Sequence, residues 1–201
     1  MRASEYGLAL STNRGRTPCE TKATGTECPT IVDSALSSSD LLVLLKLAAS
    51  EDASASVRDL AGDLGISKSA VALSLKHLDE LELTKGEPPN RRVNKLAARD
   101  LLENAARWIA PAKVGDWELG LPTAHSEPHL AARFRGDADP VVLPLPHGPL
   151  RGRAIPPLHP QAPAAAARDP RLHRLLAIVD ALRIGRARDR EIAASELRQC
   201  L

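Results

Sequence analysis

With 201 residues, of which 43 % are apolar and 26 % charged, the chain suits one or two small domains with a conventional core. A net charge of +2 and only four aromatic side chains, Tyr6, Trp108, Trp117 and Phe134, argue against a protein that stacks single-stranded bases. The three cysteines, Cys19, Cys28 and Cys200, are too scattered for a disulfide framework or a zinc site; there is no apolar run of ~18 residues to span a membrane, nor an apolar stretch behind Arg2 to act as a secretory signal, so a soluble cytoplasmic protein is expected.

Residues 1–36 are rich in Ser, Thr and Gly without a helical or strand period, and read as a disordered arm. A first helix is expected from Asp40 through "LLVLLKLAA", capped by Ser39; it is apolar on nearly every side and therefore central. Ser56 opens the next with Asp59 three residues on, a capping box, and Val57, Leu60, Ala61 and Leu64 line one face. Gly65 closes that helix in a left-handed turn, and Ser67 caps a third whose inner face is Val71, Leu75 and Leu78. "LTKGEPPNRRVN", 83–94, then predicts a small hairpin with a basic return strand. Asn94 caps a longer helix, "KLAARDLLENAARWI", that ends before Pro111.

Residues 112–139 show little period, and 140–163 hold eight of the sixteen prolines; 111–168 therefore reads as an irregular, proline-rich arm that drapes over something or links domains. Asp169 followed by Pro170 starts another helix, with Leu172, Leu175, Leu176, Val179 and Leu182 as a stripe; Gly185 interrupts it before a last helix carrying Ile192 and Leu197. This C-terminal helical pair, 169–201, lies in a basic stretch: residues 151–201 are net +5, while 40–100 are net −1. The stripe either pairs with a second copy of the chain or packs on the helices of residues 38–110 in its own. The run "RIGRARDR" brings Arg183, Arg186, Arg188 and Arg190 together, either for an acidic or phosphate-bearing partner or as a solvated face.

Helix, helix, turn, helix and basic hairpin is the order of a winged helix-turn-helix. "LAGDLGISKSAVALSLKHLDELELT" resembles the corresponding segment of MarR-type bacterial transcriptional regulators, in Ile66-Ser67, Ala70-Val71 and Leu75-Lys76-His77-Leu78. The resemblance covers about 38–110, a third of the chain. It implies a mainly α fold with a small β-hairpin, a winged domain at 38–110, a recognition helix at 67–82 and a wing at 85–92. It further implies transcription regulation by a homodimer on double-stranded DNA, without a cofactor.

Ser67, Lys68 and Ser69 start a capped helix whose free amides favour a phosphate. Ala72, Leu73, Lys76 and His77 lie off the inner face, toward a major groove. Lys85, Arg91 and Arg92 on the hairpin reach backbone or minor groove. Two positions depart from the family: Ala72-Leu73 stand where a polar pair is common, and Glu82 where a turn glycine is usual. A winged helix used only for protein contact is the competing reading of this segment.

No catalytic motif is present: the chain lacks G-x-S-x-G, a phosphate loop and a dinucleotide fingerprint. In "HSEPH", His125, Glu127 and His129 alternate, but H-E-x-x-H spacing is missing and neither a metal site nor an enzyme is expected. The alternative to a regulator is an antitoxin or accessory interaction protein of a bacterial two-gene system, wrapping a partner with residues 140–201.

Overall fold

The computed structural model describes residues 36–50, 56–86, 90–134 and 138–201; the expected N-terminal arm and the tip of the hairpin, 87–89, lie outside them. The fold is mainly helical with one two-stranded and one three-stranded sheet. Helix α1, Ser38–Ala49, buries Leu41, Leu42, Val43, Leu44 and Leu45 in succession, which only a helix surrounded on all sides can do. Its cap is Ser37 rather than Ser39. From Ser37 the carboxylate of Asp40 is at the third helical position, so it accepts the Ser37 amide at 2.8 Å while the Ser37 hydroxyl accepts the Asp40 amide.

Helix α2, Val57–Leu64, and helix α3, Lys68–Glu80, start at Ser56 and Ser67 as their caps require, with Gly65 between them at φ 68°. Leu60, Leu64, Val71, Leu75 and Leu78 turn onto α1. Strands β1, Thr84–Lys85, and β2, Arg92–Val93, pair antiparallel with Lys85 opposite Arg92. Helix α4, Lys95–Ile109, follows from Asn94, whose side chain accepts the Ala97 amide.

Where an irregular arm is expected, the chain instead makes a second sheet. Strand β3, Trp117–Pro122, pairs antiparallel with both β4, Val141–Pro144, and β5, Leu150–Ala154. β4 and β5 pair in parallel, closing a three-stranded barrel. Such tight closure needs glycine: a Cβ on Gly120 would come within 2.1 Å of the Leu143 carbonyl oxygen. The prolines do not oppose this. Pro140, Pro144, Pro146 and Pro149 fall at the ends of β4 and β5 or between them, where a fixed φ suits extended chain and no ladder amide is missed.

A 3₁₀ turn at Ala124–Ser126 and the short helices α5, Pro128–Ala131, and α6, Ala162–Ala166, lead to α7, Pro170–Ile184, and α8, Ala187–Cys200. Helix α7 is a second central helix. It packs against α1, α4, α6 and α8, and Leu172, Leu175, Leu176, Val179 and Leu182 are all at most 4 % exposed. One core cluster therefore runs from Leu41 to Leu201, without a break between the first three helices and the C-terminal pair. The α7 stripe is covered by the helices of its own chain, the second of the two arrangements the sequence left open.

A buried polar clip holds these layers in register. Arg183 donates to Asp180 at 2.6 Å and to the carbonyls of Ala110 at 2.6 Å and Pro156 at 3.0 Å, while the Thr123 hydroxyl donates to the other Asp180 oxygen at 2.7 Å. The end of α4, the end of β3 and the segment after β5 are thereby all tied to α7. Arg183 thus leaves the basic run, and Arg190 turns back to the Gly185 carbonyl, leaving Arg186 and Arg188 as its exposed members.

Candidate nucleic-acid interface

Helix α3 has two unlike faces. Val71, Ser74, Leu75 and Leu78 are buried. Ser67, Lys68, Ser69, Ala72, Leu73 and Lys76 are exposed, with Leu73 at 69 %, and no described element covers them. At the start of the helix the Ser67 hydroxyl accepts the Ala70 amide at 3.1 Å and lies 3.0 Å from the Ser69 hydroxyl, so the first turn is fixed before any ligand arrives. The Lys76 ammonium is 3.6 Å from the Glu80 carboxylate one turn on; both groups are half or more exposed, so the pair restrains Lys76 only weakly.

Two of the expected contact residues are not on this face. His77 turns inward, its Nδ1 2.8 Å from Asp40. Burial pushes the Asp40 carboxyl up, but bonds from Ser74, Ser37 and His77 outweigh this and hold it below its ordinary value. An ionised carboxylate can only accept, so the His77 ring carries a proton on Nδ1. The residue is a brace between α3 and α1. A histidine one turn from Ser74, with an aspartate inside the protein to receive both, is a pattern that helical spacing alone does not reveal.

Arg91 is the second departure. Its guanidinium donates to Asp79 of α3 at 2.5 Å and is 15 % exposed. Asp79 also accepts the Thr84 hydroxyl, so one carboxylate gathers both strands of the hairpin onto the end of α3. Lys85 and Arg92, opposite one another in the ladder, remain exposed. Of the residues predicted for the interface, the structure therefore exposes Ser67, Lys68, Ser69, Ala72 and Leu73 at the start of α3, Lys76 further along, and Lys85 and Arg92 on the hairpin.

The same hairpin borders a basic cavity that the sequence reading missed. Arg91, Arg92 and Lys95 line it together with Arg171 and Arg174 of α7. Nothing in the spacing announces this, since the two groups are nearly eighty positions apart and only the folding of α7 beneath the hairpin unites them. Among the described residues no group of His, Cys, Asp and Glu could hold a metal ion; His125 bonds to the Asp139 carbonyl, and Glu127 accepts the Leu130 amide as the cap of α5. No helix among them is long and apolar enough to cross a membrane.

No protein-family model, curated protein or solved structure matches the chain.

Proposed function

We propose that the chain is a DNA-binding transcriptional regulator in which residues 38–110 act as a winged helix, α3 as the recognition helix and the β1–β2 hairpin as the wing. The observation carrying this reading is the uncovered face of α3 beside an exposed pair of hairpin cations, Lys85 and Arg92. A helix of 13 residues is long enough to lie in a major groove, with a capped N-terminus for a phosphate and Ala72, Leu73 and Lys76 toward the bases. Leu73 can meet a thymine methyl, and Lys76 a guanine edge. Lys68, Lys85 and Arg92 supply charge for the backbone. The proposal includes a second copy of the chain, since two α3 helices in successive grooves would give the length of site that one cannot. With the α7 stripe enclosed, that copy must use another face.

The competing reading, an interaction protein wrapping a partner with residues 140–201, gains less support. This region is built into the core of its own chain through α7 and the Asp180–Arg183 clip. Titrating the full chain into a labelled duplex from the region upstream of its gene, and into a scrambled duplex, separates the two. The regulator gives salt-dependent binding that prefers the native duplex. An interaction protein binds neither.

A further inference from the structure

Beneath the hairpin lies an open cavity of about 740 Å³, bounded by the end of α1, β2, the start of α4, and helices α7 and α8. Its size is that of a metabolite pocket, on the order of 300–1,000 Å³. Leu47, Val93 and Leu175 give it apolar walls, and the charged side chains among its described lining residues are cations: Arg91, Arg92, Lys95, Arg171 and Arg174. Two of these guanidiniums are already positioned, Arg91 by Asp79 at 2.5 Å and Arg174 by Glu196 at 3.2 Å, and both carboxylates belong outside the lining. Arg92 and Lys95, close together where β2 runs into α4, have neither an ion pair nor a side-chain hydrogen bond among the described residues.

We propose that this cavity binds a small organic phosphate, with its phosphoryl group on Arg92 and Lys95 and its less polar body against Leu47 and Leu175. A guanidinium fork beside an ammonium, both without an ion pair among the described residues, suits the multiple oxygens and double charge of a phosphate better than the single charge of a carboxylate. A DNA backbone carries the same chemistry, but it follows exposed convex surface, whereas this site is recessed and floored by α1. Arg92 also belongs to the proposed DNA face, so occupancy is expected to weaken duplex binding. That consequence rests on the DNA-binding reading; occupancy itself does not.

The test is isothermal titration of the full chain, free of DNA, with ADP and separately with benzoate. ADP is expected to bind, and Lys95→Ala, at the exposed first position of α4, to weaken it about tenfold. Ala48→Phe, which intrudes on the cavity from α1, should weaken it similarly, while Arg186→Ala, an exposed cation at the start of α8, leaves it unchanged. Cys200 lines the cavity, so bound ADP should also slow its alkylation. The proposal is overturned if ADP gives no binding at millimolar concentration, if Lys95→Ala binds as the parent does, or if benzoate binds as tightly as ADP. It is likewise overturned if Lys95→Ala weakens only duplex binding, which would assign these cations to the DNA backbone. ADP binding by a chain that binds no duplex would uphold the site and refute the regulator.

Discussion

Arg91 reaches across the base of the hairpin to Asp79, 2.5 Å away, so a cation that the sequence offers to DNA is spent on joining the hairpin to α3. Its neighbour Arg92 has no such partner among the described residues and is exposed. The two adjacent arginines should therefore respond differently to removal. Arg92→Ala is expected to lower the slope of log affinity against log salt by about one phosphate contact. Arg91→Ala should leave that slope unchanged and lower the thermal midpoint instead. Salt-series titrations beside a melting curve check both, and equal slopes for the two variants would contradict the division of roles.

Glu82 has a φ of 55°, the left-handed region that a side chain rarely adopts, at the turn from α3 into β1. Holding it there costs about 1 kcal/mol or more. Glu82→Gly removes that strain but loosens the unfolded chain, so stability should stay level or rise by up to about 1 kcal/mol. Glu82→Val, branched at Cβ, should fall by about 1–2 kcal/mol. Urea midpoints measure this, and a marked loss in the glycine variant would argue against the turn.

The helices and the hairpin of the first half were legible in the sequence because most of their signals are local. Ser56 with Asp59, Gly65, Ser67 and Asn94 are caps read over three or four positions, and all four stand where the spacing puts them. What was not legible depends on distant partners. The alternation of Trp117, Leu119 and Leu121 in β3 is too short to stand out from a stretch that otherwise shows little period, and its partners β4 and β5 hide behind prolines that read as loop. His77 and Arg91 looked available because Asp40 and Asp79 meet them only after folding. The α7 stripe was equally ambiguous, since a buried face and a dimer face carry the same residues.

The clip between Asp180 and Arg183 should be the costliest polar interaction to disturb. Arg183 is 2 % exposed in its side chain and Asp180 1 %, and burial already pushes the Asp180 carboxyl up against the pull of Arg183, so removing the arginine leaves a buried acid without its cation. Arg183→Ala is expected to lose about 3–5 kcal/mol of stability, with the carbonyls of Ala110 and Pro156 left unpaired as well. Chemical denaturation would show it. A loss under 1 kcal/mol would mean that α4 and the barrel are not held to α7 through this pair.

Lys46 lies 2.8 Å from both Asp63 and Asp169, linking α1 to α2 and to the cap of α7. Burial pushes the Lys46 ammonium down, but bonds to Asp169 and Asp63 outweigh it and raise it above its ordinary value. Burial likewise pushes the Asp169 carboxyl up, and the Lys46 bond with the amides of Leu172 and Arg171 outweighs that and holds it low. A raised lysine stabilises fully below about pH 10.4 and loses its contribution as pH rises through the folded value. A lowered aspartate stabilises above about pH 3.9 and loses its contribution as pH falls through the folded value. Lys46→Met should therefore lose most stability, relative to the parent, between these limits, and the two proteins should converge at either extreme. A difference that does not vary with pH would place the effect in packing alone.

The most direct test of the account reverses two charges on the open face of α3. Lys68→Glu/Lys76→Glu alters side chains with no core contact, so circular dichroism and melting should match the parent. Fluorescence anisotropy with the native upstream duplex at low salt should then show parental binding and at least a hundredfold loss in the variant, on the order of the two contacts removed and two repulsions added. Parental affinity in the folded variant would contradict the claim that α3 is the DNA-reading element.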